Sequence, residues 1–215
     1  MKTIPIQEAV GMIPDGARLM IGGFMACGTP EPLMDELVRQ GKRNLTVIAN
    51  DTGMPGIGIG KLVRAKLLRK LIASHIGLNK ETQEQMIAGQ IDVELIPQGT
   101  LIERIRAGGS GLGGVLTPTG VGTVVEKGKQ KFSFDGRDYL LETALHADFA
   151  LVHAFVCDYL GNLAYVLTAR NFNPVIATAA TTVIATAENM VPMGVIAPDQ
   201  IVTPAPLVDY VIIKE

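Results

Sequence analysis

The stretch from Ala17 to Ala49 constrains the fold more than any other part of the chain. Ala17–Ile21 is a short, mostly apolar run of strand character that stops at Gly22-Gly23. Beyond the loop, Thr29 offers a hydroxyl suited to capping a helix. Pro30 follows at the first helical position, where a missing N–H costs nothing. Leu33, Met34, Leu37 and Val38 then recur at helical spacing, and Gly41 ends the pattern. Leu45–Ala49 is a second apolar strand. Strand, glycine loop, helix and strand make one βαβ unit with a right-handed crossover, which implies a parallel sheet covered by helices.

The rest of the chain continues the alternation. Pro5–Val10 reads as a short helix followed by a turn at Ile13–Gly16. Lys61–Lys70 is wholly or partly helical, Lys70–Ser74 a strand, Thr82–Gly89 a helix, Val93–Ile96 a strand and Leu101–Ala107 a helix. Gly108–Gly122 holds seven glycines among fifteen residues and predicts a long ordered loop or a set of turns. Lys131–Leu141 has the pattern of a hairpin turning at Asp135-Gly136. Further strands are expected at Phe149–Phe155, Leu163–Tyr165, Thr182–Ala185 and Val208–Ile213, with a helix near Pro174–Ala180. The predicted architecture is α/β: one domain over 1–215, an open and mostly parallel sheet flanked by helices, with a β-hairpin excursion.

Composition narrows the function. Hydrophobic residues make up 47% and charged residues 19%, without tryptophan, so the apolar mass is aliphatic. A net charge of −2 gives no basic footprint for nucleic acid or an anionic membrane. No run approaches the roughly 20 apolar residues needed to span a bilayer. Met1–Pro5 does not resemble a secretory signal, and the chain is expected in the cytoplasm. Cys27 and Cys157 match no disulfide or metal spacing, and His75, His146 and His153 are scattered, so no metal site is expected.

Several positions carry possible chemistry. The loop Gly22, Gly23, Phe24, Met25, Ala26, Cys27 and Gly28 precedes a helix N-terminus, whose free N–H groups suit a phosphate, a carboxylate or an oxyanion. It reads equally well as an ordinary βα turn that binds nothing. Cys27 in that loop is read as a small loop residue, although a helix N-terminus lowers a thiol pKa. Gly109–Gly114 fits G-x-G-x-x-G formally, yet no strand precedes it and Thr117-Pro118 follow where a helix should run, which argues against a dinucleotide site. Asn50-Asp51 and Gln98 fall just past two predicted strand ends, where open α/β sheets place ligands; the plainer reading is capping or a turn. Glu103 beside Arg104 and Arg106, and Glu142 at the end of the hairpin, read as ion-pairing residues. No carboxylate presents itself as a nucleophile.

Longer stretches carry a resemblance. Asp15-Gly16-Ala-Arg-Leu-Met-Ile-Gly22-Gly23-Phe24-Met-Ala-Cys-Gly28-Thr-Pro30 is similar to the first signature of the two-subunit 3-oxoacid and acetate/butyrate–acetoacetate CoA-transferases. Asn50-Asp51 with Gly56–Gly60, Ile72–Gly77, Pro97–Gly109, Leu116–Thr123 and Ala169-Arg-Asn-Phe-Asn-Pro174 extend the resemblance over nearly the whole A (alpha) subunit. Departures lie in Ala185–Met190 and at Ala205, both far from the implied site.

The resemblance implies that coenzyme A is a substrate rather than a bound cofactor, and that it moves from an acyl-CoA to a carboxylic acid. It implies a catalytic glutamate on a B (beta) partner subunit, in a heterotetramer of two alpha and two beta chains. By the same similarity, Gly22–Gly28 borders the thioester, and Asn50 and Gln98 line the acyl pocket as supporting residues. Asp51 stands where some succinyl-preferring members carry a second Asn, which tilts the expectation toward short-chain acids: acetoacetyl-CoA with acetate or butyrate, ahead of succinyl-CoA or 3-oxoadipate. The rivals are a sugar-phosphate isomerase, which would need its own base, and a ligand-sensing module, which usually accompanies a DNA-binding segment. Neither feature is evident in the sequence.

Overall fold

The computed structural model describes residues 2–212. The chain opens with β1 (Lys2–Ile4), α1 (Ile6–Gly11) and β2 (Arg18–Ile21), then α2 (Glu31–Arg39) and β3 (Leu45–Ala49). It continues through α3 (Gly60–Arg64), β4 (Leu68–Ala73), α4 (Lys80–Ile87), β5 (Asp92–Leu95) and α5 (Gln98–Gly109). A small antiparallel sheet follows, built from β6 (Gly114–Thr117), β7 (Lys131–Phe134) and β8 (Arg137–Thr143). The chain then returns through β9 (Ala147–Asp158), β10 (Leu163–Ala164), α6 (Asn173–Ile176), β11 (Ala180–Val191) and β12 (Tyr210–Ile212).

The main sheet runs β1-β12-β11-β9-β2-β3-β4-β5 with every neighbour parallel, and β10 adds an antiparallel edge to β9. From β2 the chain winds outward through β3, β4 and β5, then returns to place β9 on the other side of β2. The winding direction reverses between β2 and β9, and a reversal of this kind opens a crevice at the carboxyl ends of the strands.

Period-two alternation divides the strand side chains between two cores. Leu19, Ile21, Val47 and Leu71 pack with Leu33, Leu37, Leu62 and Val63, beneath α2 and α3. Met20, Ile48 and Ile72 point the other way, against Leu101, Ile105, Phe172 and Ile176 of the α5–α6 side. All five residues of β3 are buried, as a strand covered on both faces requires. Among the described residues, no helix is long and apolar enough to cross a membrane.

The expected βαβ unit is present, with differences in detail. α2 begins at Glu31 with Pro30 as the flanking residue and no side-chain cap; Pro32 occupies the first turn. The Thr29 hydroxyl donates instead to Gly22 O at 3.1 Å, because the glycine turn leaves that buried carbonyl in need of a donor. Val38 is 36% exposed, so the buried stripe of α2 is Leu33, Met34 and Leu37.

Gly108–Gly122 is not one loop. α5 runs through Gly109, and Gly114–Thr117 pairs with β8 as β6. A Cβ on Gly109 would lie 1.9 Å from Thr178 Oγ1, so a close internal approach dictates glycine there. The helix expected over Lys61–Lys70 covers only Gly60–Arg64, and Lys66 turns left-handed at φ 55°. The Asp135-Gly136 hairpin falls where expected, both residues having positive φ. β9 and β11 are twelve residues each and pair with one another almost throughout, well beyond the segments the sequence marks. Ile213, the last residue of the final predicted strand, lies outside the described residues.

Candidate active site

The loop after β2 sits at the β2/β9 reversal, where Gly22 N–H donates to Leu151 O at 3.0 Å. Phe24 and Cys27 exchange two backbone hydrogen bonds, 3.0 and 2.9 Å, around a two-residue turn formed by Met25 and Ala26. Both turn residues are left-handed, with φ 49° and 69°. Such a conformation costs a residue bearing a Cβ roughly 1–2 kcal/mol. Surrounding structure must therefore impose it.

Two anchors do so. Asn173 is fully buried; its Oδ1 accepts from His153 N–H at 2.9 Å, while its Nδ2 donates to Gly28 O at 2.9 Å and Ala169 O at 3.0 Å. A Cβ on Gly22 would lie 1.8 Å from that Asn173 Oδ1, so internal packing accounts for this glycine. The second anchor is Asp51, only 5% exposed, whose Oδ2 accepts from Met25 N–H at 3.1 Å. Gly22 and Gly23 are buried and do not face solvent, Phe24, Ala26, Cys27 and Gly28 are half-buried, and Met25 is exposed. The N–H groups of Ala26 and Gly28 have no acceptor among the described residues.

Asp51 also belongs to a second cluster. Asn50, wholly buried at the end of β3, donates from Nδ2 to Asp51 Oδ2 at 2.7 Å. Gly53 N–H reaches Asp51 Oδ1 at 2.6 Å. Gln98, the exposed first residue of α5, donates from Nε2 to Asn50 Oδ1 at 3.4 Å and to Asn171 Oδ1 at 3.3 Å. Asn171 Nδ2 completes the ring, donating to Asn50 Oδ1 at 3.3 Å. The structure thus brings Asn50, Gln98 and the turn of the glycine loop together through Asp51. It adds Asn171, which the sequence marked only as part of a longer familiar stretch. Two asparagines flanking a phenylalanine just before a proline were the available signal.

The acids weighed in the sequence have structural partners. Glu103 pairs with Arg106 at 3.1 Å. Glu142, 2% exposed, meets Lys129 and, at 3.7 Å, Arg104. Burial pushes the Cys157 thiol up to about 12, so it stays protonated. His153 Nδ1 shares a 2.8 Å hydrogen bond with Thr186 Oγ1.

A cavity of about 420 Å³ lies away from the amide cluster, between the start of α1, the first turn of α2 and the His153–Thr186 stretch of β9 and β11. Much of its lining is apolar, and Thr29, Glu31 and His153 already have partners. The acceptor-free N–H groups of Ala26 and Gly28 belong instead to the loop that Asp51 links to Asn50 and the exposed Gln98.

Comparison with known proteins shows the family. A family model described as "Coenzyme A transferase" matches residues 3–214. The chain belongs to the coenzyme A transferase family. It is 53% identical over 214 residues to the alpha chain of the acetate CoA-transferase of Escherichia coli (strain K12), covering 100% of this chain and 97% of that one. The alpha chain of the acetoacetyl-CoA:acetate/butyrate CoA transferase of Clostridium acetobutylicum is 50% identical over 211 residues, covering 98% of this chain and 97% of that one. The corresponding chain of a succinyl-CoA:3-ketoacid coenzyme A transferase from Xanthomonas campestris pv. campestris is 46% identical over 204 residues, covering 95% of this chain and 84% of that one. Among solved structures, an acyl-CoA transferase from E. coli O157:H7 in a thioester complex with CoA superimposes with a TM-score of 0.85 at 25% identity. That match covers 99% of this chain and 47% of the solved one, so this CoA-transferase alpha chain spans about half of the longer chain. The expected architecture, a mostly parallel sheet with a hairpin excursion, is the one observed.

Proposed function

We propose that this CoA-transferase alpha chain supplies the donor-rich half of an active site whose nucleophile comes from a beta partner. The observation that carries the reading is the juxtaposition of unpaired loop N–H groups with an amide ring at the open sheet edge, around a carboxylate already occupied by N–H donors. Attack on a thioester builds negative charge on its carbonyl oxygen. The N–H groups of Ala26 and Gly28 suit that charge, and each such preorganised donor is worth roughly 3 kcal/mol. Asp51 accepts three N–H groups and cannot also attack. The nucleophile is then the partner's glutamate. It attacks the acyl-CoA carbonyl and releases CoA thiolate, and the thiolate attacks the resulting anhydride to give a glutamyl-CoA thioester and the free donor acid. The acceptor carboxylate runs the same steps in reverse.

On this reading the loop Gly22–Gly28 borders the thioester through Phe24–Gly28, while Asn50 and Gln98 line the acyl pocket. The preferred pair is acetoacetyl-CoA with acetate or butyrate, supported by the name of one relative and, for acetate, of another; succinyl-CoA, in the name of a third, stands second together with 3-oxoadipate. The working enzyme is a cytoplasmic assembly of two alpha and two beta chains. The test is reconstitution. The alpha chain alone should transfer no CoA, and addition of the beta chain should restore transfer and leave a CoA thioester on a beta glutamate, detectable by mass spectrometry. Transfer by the alpha chain alone would overturn the division of labour.

A further inference from the structure

The small antiparallel sheet leaves one strand open. Its order is β6-β8-β7, so β7 has a neighbour on one side only, and all four of its residues are exposed. Leu141 N–H donates to Gln130 O at 2.9 Å, which fixes the phase of the ladder. Phe132 and Phe134 turn their backbone groups toward β8, and Lys131 and Ser133 turn theirs outward. The outward N–H groups have no acceptor among the described residues. Such an edge is ordinarily blunted by a proline, a bulge or a lysine reaching over it. β7 has neither proline nor bulge, and Lys131 is drawn back to Glu126 at 2.7 Å and Asp138 at 3.6 Å. On one face Phe132 and Phe134 stack at 6.5 Å and Tyr139 meets Phe134 edge-on at 5.9 Å. The two phenylalanines nevertheless stay 40% and 51% exposed.

We infer that β7 pairs edge to edge with β7 of a second copy of this chain, antiparallel across a two-fold axis, and joins the two small sheets into one. The pattern of the strand selects both the occupant and the register. An axis centred on Phe132 sets Lys131 against Ser133 of the second copy, and Ser133 against its Lys131. Outward N–H and C=O groups then meet outward groups in both directions, as a self-complementary contact requires. Phe132 faces its counterpart at a closely spaced position of the ladder, where side chains approach nearest. The charges agree with this register. Ser133 donates to Asp138 at 2.5 Å, so a Lys131 arriving opposite Ser133 comes beside a carboxylate of the other chain. Sliding the strands by two residues loses one of these pairings, and in one direction sets Lys131 against Lys131. The pairing is a property of this chain alone. It rests on the reading above only in that it would join two alpha–beta pairs into the assembly of two alpha and two beta chains.

The test uses the complex reconstituted with the beta chain. In the paired strands the two residues at position 132 have Cα atoms about 4.5 Å apart, within the roughly 4.4–6.8 Å that a disulfide spans. Phe132→Cys, oxidised in the assembled complex, should therefore link alpha to alpha on a non-reducing gel. Ile87→Cys, on α4 and 82% exposed, should give no such link. Ser133→Pro removes an outward N–H and leaves the bonds between β7 and β8 in place. Light scattering should then give half the wild-type mass, while CoA transfer per alpha–beta pair stays within about twofold of wild type. The inference is overturned if Phe132→Cys forms no disulfide, or forms it with the beta chain. It is overturned equally by a Ser133→Pro complex of wild-type mass, or by a wild-type complex holding a single alpha chain. Should Ser133→Pro fail to fold, the cross-link decides, because Phe132→Cys keeps the backbone bonds to β8. A complex that links through residue 132 yet passes CoA to no acid sinks the proposed function and leaves the pairing standing.

Discussion

At the scale of single residues, the Met25-Ala26 turn is the most informative feature. Two residues with side chains hold a backbone conformation that glycine would hold without strain, at the tip of the loop beside the proposed thioester. Ala26→Gly should relieve roughly 1–2 kcal/mol of strain and lose about half of that to the greater freedom of the unfolded chain. A net gain of about 0.5–1 kcal/mol is expected, read as a higher urea midpoint at unchanged slope; a lower midpoint would mean that the left-handed Ala26 stores no strain. Gln98 is a second test at this scale. Gln98→Ala should lower kcat of the reconstituted enzyme by about tenfold or more with little change in folding, since the side chain is exposed. Unchanged kinetics would remove it from the site. Asn50 and Gln98 were legible in the sequence because each follows a recognisable strand. Asn171 was not, because its role depends on two partners far away along the chain.

At the scale of elements, local pattern located most strands and helices and missed what long-range pairing extends or divides. β9 and β11 reach twelve residues because each is the other's neighbour, which lets polar positions such as His153, Thr186 and Asn189 remain in strand. The glycine-rich stretch after Leu101 is divided between a helix end and β6, because β8 offers β6 an edge to pair with. The small sheet is tied to α5 through Glu142, which meets Lys129 and Arg104. Breaking a fully buried ion pair costs about 3–5 kcal/mol. Lys129 remains 26% exposed, so Glu142→Gln should cost about 2 kcal/mol. Hydrogen exchange should quicken over 131–143 while β2–β4 stay protected; uniform acceleration would mean that the two sheets open together.

At the scale of the whole molecule, the proposed site is an edge rather than an enclosed cavity. The sheet order reverses between β2 and β9, and the loop, the amide ring and the first turn of α5 all collect near that reversal. Glu103 and Glu142, the acids considered as nucleophiles, are engaged in ion pairs elsewhere. On the proposed reading, a chain arranged in this way binds and orients while the partner initiates the chemistry. The dependence on a beta partner is therefore expected to be absolute in the reconstitution assay.

The sequence by itself determined the α/β class, the βαβ unit around Gly22–Gly28 and the family. Strand alternation, glycine stops and contiguous signatures are local, and the backbone reads them within a few residues. Tertiary structure alone decided that Thr29 closes the loop instead of capping a helix, that Asn173 packs against Gly22, and that Asn50, Gln98 and Asn171 form one ring. Asn50 and Asn171 are 121 residues apart, and the sheet order brings them to one edge. Side-chain direction across that distance is fixed by packing and hydrogen bonding, which leave no periodic trace in the chain.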